Sequence, residues 1–208
     1  LEGTEGWDSQ YNKTDYTTGA EAKAAGITVA NKVVDEGVIL LKNDGVLPLA
    51  KQSTVVPFGY RYIEPVLGQP SSGGAAKWIL ESERTLPEAG LTDFVINTSA
   101  ADRMVGEPQG LAEAPGTSTA GDTGSPLGGN SYIYEYPASI YDGLAAIPNS
   151  TALVFVGRYG QENQDKKCDA YEDGTPHYLA LSQNERDTIA KAKELCTNVV
   201  LVLQTAGA

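Results

Sequence analysis

The sequence predicts an α/β fold: a mainly parallel sheet flanked by helices on both faces, an α/β sandwich of the flavodoxin-like, doubly wound kind. Two observations carry this. Ala152-Leu153-Val154-Phe155-Val156 is apolar on both faces, and Val199 to Leu203 repeats that pattern, as parallel strands covered on two sides do. Stretches with helical spacing precede and separate these runs, so strand and helix alternate along the chain.

Taken in order, residues 1–17 are polar and aromatic without a clean period and read as an N-terminal arm. From Thr18, Ala22, Ala25, Val29, Ala30, Val33 and Val34 recur at helical spacing, and Gly37 supplies a C-terminal cap, which predicts a helix over 18–36. Val38 to Leu41 reads as a short strand paired near a second one at Thr54 to Phe58, with Pro48 marking the turn between them. A helix is expected over 78–89, ending at Gly90, and a third strand or its remnant over 93–97. Residues 99–131 form a long loop rich in Gly, Pro, Ser and Thr, of the kind that is functional or mobile in a compact domain. Ser131 to Glu135 reads as a short strand, and Pro137 to Ala146 as a helix with proline in its first turn. Ser182-Gln183-Asn184-Glu185 is a capping box that opens a helix over 183–196, with Ile189, Ala192 and Leu195 on one face.

Length and charge narrow the function. The 208 residues suit one large domain, 1–208. A formal charge of −12, without a basic stripe, argues against nucleic acid or an anionic membrane as partner, and no apolar segment approaches the length of a membrane span. The chain begins at Leu1 and stops just after a strand, so it is expected to be a piece of a larger enzyme. Cys168 and Cys196 read as two unpaired thiols more readily than as a bridge. The lone His177 does not make a metal cluster, no metal or other cofactor is expected, and no phosphate-binding glycine motif or nucleophile elbow is present. That leaves a nucleotide-binding flavodoxin-like domain as the weakest alternative.

Chemistry is expected at the carboxyl ends of the strands, where ligands gather in open α/β sheets. The 152–156 run stops at Arg158-Tyr159-Gly160-Gln161-Glu162-Asn163-Gln164-Asp165-Lys166. This loop resembles the Arg-x-Ser-Gly-Glu-Gly-x-Asp-Arg signature of the α/β sandwich domain of glycoside hydrolase family 3, the β-glucosidase and β-xylosidase family. Asp35 to Asn43 with Leu47-Pro48-Leu49 resembles the "EGIVLLKN…LPL" start of the same domain. Leu179-Ala180-Leu181-Ser182, the helix after it and Val199 to Gly207 resemble its close. The loop departs from the pattern with Gly160-Gln161 in place of Ser-Gly, Asn163 in place of Gly and Lys166 in place of Arg.

The resemblance implies the non-barrel domain of a retaining glycosidase acting on β-linked gluco- or xylo-oligosaccharides. Its partners would be a carbohydrate substrate and a (β/α)8 barrel domain of the parent chain. The barrel, which carries the nucleophilic Asp, is absent here, so the isolated piece is expected to be inactive. By position Glu162 is the acid/base candidate, and Arg158 and Asp165 are candidate substrate contacts. Burial by the barrel and the charge of Asp165 would raise the Glu162 pKa, and Arg158 would lower it. Gly68-Gln69-Pro70-Ser71-Ser72-Gly73-Gly74 lies where family members carry a glycine-serine turn bordering the sugar, which makes Ser72 and Gly73 candidates too; a plain surface loop is the other reading. Composition alone favours a solvated carboxylate for Glu162, and a non-catalytic carbohydrate-binding or scaffold module on the same fold is the alternative function. Tyr132, Tyr134, Tyr136 and Tyr141 suit either core packing or sugar stacking, with packing the commoner use.

Overall fold

The computed structural model describes residues 15–66, 87–111, 132–158 and 169–205, which fall into two compact units, Leu1–Leu47 and Pro48–Ala208. The arm over 1–14, the glycine-serine loop, nearly all of the expected 78–89 helix, residues 112–131 and the Glu162 loop lie outside the described residues.

The first unit contains helix α1, Gly19–Gly37. A second capping box sets its start. The Thr18 side chain accepts from the Glu21 N–H, and the Glu21 carboxylate accepts in return from the Thr18 N–H, both at 3.2 Å. No residue of α1 is buried. The strand expected at Val38 to Leu41 is not formed; these four residues are 62–77% exposed. An apolar run of four identifies a sticky segment, whereas a strand also requires a hydrogen-bonded neighbour, and none pairs with it among the described residues.

The second unit is built on a four-stranded, wholly parallel sheet. Its strands are β1 (Thr54–Phe58), β2 (Val95–Ile96), β5 (Ile147–Arg158) and β6 (Cys196–Thr205), in the order β2-β1-β5-β6. Two short strands, β3 (Gly110–Leu111) and β4 (Ile133–Tyr134), make a separate antiparallel pair. β5 is buried on both faces from Ser150 to Arg158, which is why its sequence reads as an unbroken apolar run. Proline inside β1 is accommodated by where β2 stops. The N–H groups of Val95 and Asn97 reach the carbonyls of Ser53 and Val55, so the next rung would need the N–H that Pro57 lacks, and β2 has ended there.

Helix α3 (Gln183–Leu195) links β5 to β6, the crossover that parallel neighbours require. It buries Glu185, Thr188, Ala192 and Leu195, spaced at three and four residues, and Ile189 packs partly buried on the same core. Ala192 and Leu195 join Val55, Val56, Phe58, Leu153, Val154 and Phe155 in that core. A fully buried side chain of the Val, Leu or Phe kind contributes about 1.5–3 kcal/mol. The helix expected over 137–146 is a single 3-10 turn, Ala138–Tyr141. Gly143 follows at φ +79°, a left-handed conformation that a continuing helix excludes.

Two strands meet the sheet's reversal of direction. From β1 the chain moves outward to β2, then returns across β1 to β5 and continues to β6. The carboxyl ends of β1 and β5 therefore flank the topological switch point, the place where ligands bind in open α/β sheets.

Candidate functional site

At the carboxyl end of β1 the chain turns at Gly59 into a single helical turn, α2 (Tyr60–Ile63). Gly59 has φ +90°, and a Cβ there would stand 2.5 Å from the Phe155 carbonyl oxygen and 3.2 Å from Glu135 Oε2. Only glycine lets β1 turn this close to β5. Gly59→Ala is accordingly expected to lower stability by at least about 3 kcal/mol, combining backbone strain with a clash against immovable backbone; urea denaturation of the two proteins checks this. Gly157 plays the matching part on β5, since its missing Cβ leaves room for Val66 and for the Arg61 side chain.

Glu135, 3% exposed, lies in the same corner. Its carboxylate accepts from the Tyr60 N–H at 3.2 Å and the Tyr136 N–H at 2.8 Å, and its carbonyl accepts from Asn184 Nδ2 at 3.2 Å. One residue thus joins the end of β1, the segment after β4 and the first turn of α3. Burial pushes the Glu135 carboxyl up to about 8; the N–H groups of Tyr136 and Tyr60 pull against that, Glu185 adds to it and Arg61 opposes it. The hydroxyl of Tyr141, 1% exposed, accepts from the Gly59 N–H at 3.4 Å, and its ring packs edge-on against Phe58 at 5.1 Å. Sequence reasoning passed over Glu135. Its signal is a single charged residue set among alternating tyrosines and Ile133, in a segment otherwise suited to burial.

Arg158 closes β5 and is 3% exposed. All five of its N–H donors meet protein oxygens. Nε donates to the Tyr178 carbonyl at 2.6 Å; Nη1 donates to the Gly157 carbonyl at 3.0 Å and to Glu185 Oε1 at 2.6 Å; Nη2 donates to the Ala180 carbonyl at 2.8 Å and to Glu185 Oε2 at 2.7 Å. Expected from its loop to face a substrate, this guanidinium is spent on holding the 178–180 segment and the start of α3 against the strand end. Glu185 serves two ends at once, since Oε2 also accepts from the Ser182 N–H at 2.8 Å in the capping box.

Of the other site candidates, Glu162, Asp165, Ser72 and Gly73 lie outside the described residues. Their anchoring points are described. The segment carrying Glu162 and Asp165 departs directly after Arg158, at the carboxyl end of β5. The segment carrying Ser72 and Gly73 departs after Val66, whose N–H donates to Gln204 Oε1 at 3.2 Å near the carboxyl end of β6. Both segments leave from the same end of the sheet, beside the switch point. Cys196 is a buried free thiol at the start of β6, and Cys168 lies outside the described residues. Among the described residues no group of three or more metal-ligating side chains is present, and no helix is long and apolar enough to cross a membrane.

With a parallel α/β sheet established, comparison with known proteins gives a likeness to a glycosidase. The chain is similar to a β-glucosidase of Ruminococcus albus. Identity is 29% over 184 residues, which cover 86% of this chain and 17% of the relative. The chain therefore spans about a sixth of that protein's length. No family model matches the sequence. The relationship to a glycosidase is thus carried by most of the chain, not by one loop.

Proposed function

We infer that this chain is the non-barrel α/β domain of a family 3 β-glucosidase-like glycosidase that hydrolyses β-linked gluco- or xylo-oligosaccharides with retention. The observation that carries the reading is the departure of both candidate loops from the carboxyl end of one parallel sheet, in a chain similar to a β-glucosidase. A retaining mechanism needs two carboxyl groups about 5–5.5 Å apart, one attacking the anomeric carbon and one protonating the leaving oxygen. Glu162 is assigned the second role, as acid during cleavage and base during hydrolysis of the glycosyl intermediate. The nucleophile comes from the barrel domain of the parent protein. Asp165, Ser72 and Gly73 are assigned to the sugar, and Arg158 to a positioning role, fixing the base from which the Glu162 loop projects.

Glu162→Ala in the full-length enzyme tests this. Turnover of oligosaccharides, whose leaving alcohols need a proton, should fall by about 10²–10⁴-fold. Aryl glycosides with good leaving groups should suffer far less at the cleavage step, and azide should restore part of the rate as an azide adduct. Unchanged oligosaccharide turnover would remove the catalytic assignment and leave the scaffold reading.

A further inference from the structure

Two pieces of chain far apart in sequence are fastened to each other by one buried carboxyl group that the acid/base assignment does not use. The Tyr60 N–H, in the turn after β1, is shared between Glu135 Oε1 and Oε2 at 3.2 Å each, and the Tyr136 N–H donates to Oε1 at 2.8 Å. The rings of Tyr60 and Tyr136 meet edge-on at 5.8 Å over the same joint. Each side of it is short. β4 pairs two residues with two of β3, and α2 is one turn, closed by the Tyr62 N–H on the Gly59 carbonyl and the Glu64 N–H on the Tyr60 carbonyl, both at 3.0 Å. The ladders of the four-stranded sheet run from backbone to backbone and do not pass through this carboxyl.

The groups that face Glu135 from each packed element set how it responds to losing its proton. Burial weighs most against the ionised form, and the Tyr136 and Tyr60 N–H groups favour it. From α3, Glu185 repels a second negative charge, although its own charge is matched by Arg158; from α2, Arg61 attracts one. Tyr60, Tyr136 and Tyr141 bring phenols that burial holds above their ordinary range, so they stay neutral while Glu135 titrates. An ionised carboxylate regains water only if the joint parts, and parting two short segments costs less than unfolding the sheet.

We propose that Glu135 is a proton-operated latch: as a neutral acid it fastens the 132–136 segment to the turn after β1, and when its O–H proton passes to water the joint opens while the four-stranded sheet stays folded. The turn it releases lies at the switch point, so the device makes that end of the sheet sensitive to pH. It holds whether or not Glu162 is the acid/base, and so goes beyond the glycosidase reading.

Amide hydrogen exchange of this chain, read residue by residue and corrected for the intrinsic rise of exchange with pH, tests the latch. Between pH 6.5 and 9, protection of the Tyr60 and Tyr136 N–H groups should fall about thirtyfold, the change linkage gives for a carboxyl at about 8 in the closed joint and at its ordinary value in the open one. In Glu135→Gln it should stay level. At pH 9, in urea well below the unfolding transition, these two amides should exchange ahead of the β5–β6 ladder, through an opening that urea hardly promotes, whereas urea should steeply accelerate exchange of the ladder. Protection that does not fall with pH, that falls equally in Glu135→Gln, or that follows urea together with the ladder overturns the proposal.

Discussion

Glu185→Ala should destabilise this chain by about 3–5 kcal/mol, the loss typical of breaking a buried ion pair from one side. The reason is what remains behind. Arg158, 3% exposed, would keep its charge with only three backbone carbonyls, of Tyr178, Gly157 and Ala180, as acceptors, and the Ser182 N–H at the start of α3 would lose its carboxylate. For a domain whose total stability lies in the usual range of about 5–15 kcal/mol, that loss consumes much of the margin. Arg158→Met should cost a comparable amount by stranding the Glu185 carboxylate. The double variant Arg158→Met with Glu185→Ala should lose less than the sum of the two single changes, since no uncompensated charge is left. Urea denaturation of the four proteins closes the cycle. Additive losses would mean that the two side chains do not act as a pair.

The second large effect is a pH dependence centred on Glu135. Its carboxyl is raised from the ordinary 4.5 to about 8, chiefly by burial. The folded state then binds a proton that the unfolded state releases between those values, so stability should be greatest below about pH 4.5 as far as this group is concerned and should fall as pH rises towards 8. A shift of this size corresponds to a loss on the order of 5 kcal/mol across the window. Glu135→Gln keeps an oxygen to accept from the Tyr60 and Tyr136 N–H groups and carries no charge to desolvate. The variant should therefore be more stable than the parent at pH 8.5, and the two should converge near pH 5. Thermal unfolding at both values checks the sign. A parent no less stable relative to Glu135→Gln at pH 8.5 than at pH 5 would show that the N–H donors outweigh burial.

These two carboxylates also mark the limit of what local pattern reveals. Glu185 was legible as half of a capping box, because Ser182 lies three residues away and both partners are written side by side. Its bidentate bond to Arg158 spans 27 residues and is invisible until β5 and α3 pack. The same holds for Glu135, whose partner Tyr60 lies 75 residues away. Strands with a dense apolar signal were legible too: β1 occupies the expected 54–58, and β6 contains the expected Val199 to Leu203. The segment 38–41 carried the same kind of signal and formed no strand, since hydrophobicity recurs within a segment whereas pairing depends on another one.

By itself, the sequence determined an α/β chain with parallel strands, the start of α3, and a likeness to a β-glucosidase, because periodicity, capping and residue order are properties of neighbours along the chain. Tertiary structure alone decided that β1 and β5 bound the switch point, that Arg158 is consumed by Glu185, and that Glu135 is buried at the turn after Gly59. Burial and ion pairing depend on residues brought together from distant parts of the chain, and packing is what brings them there.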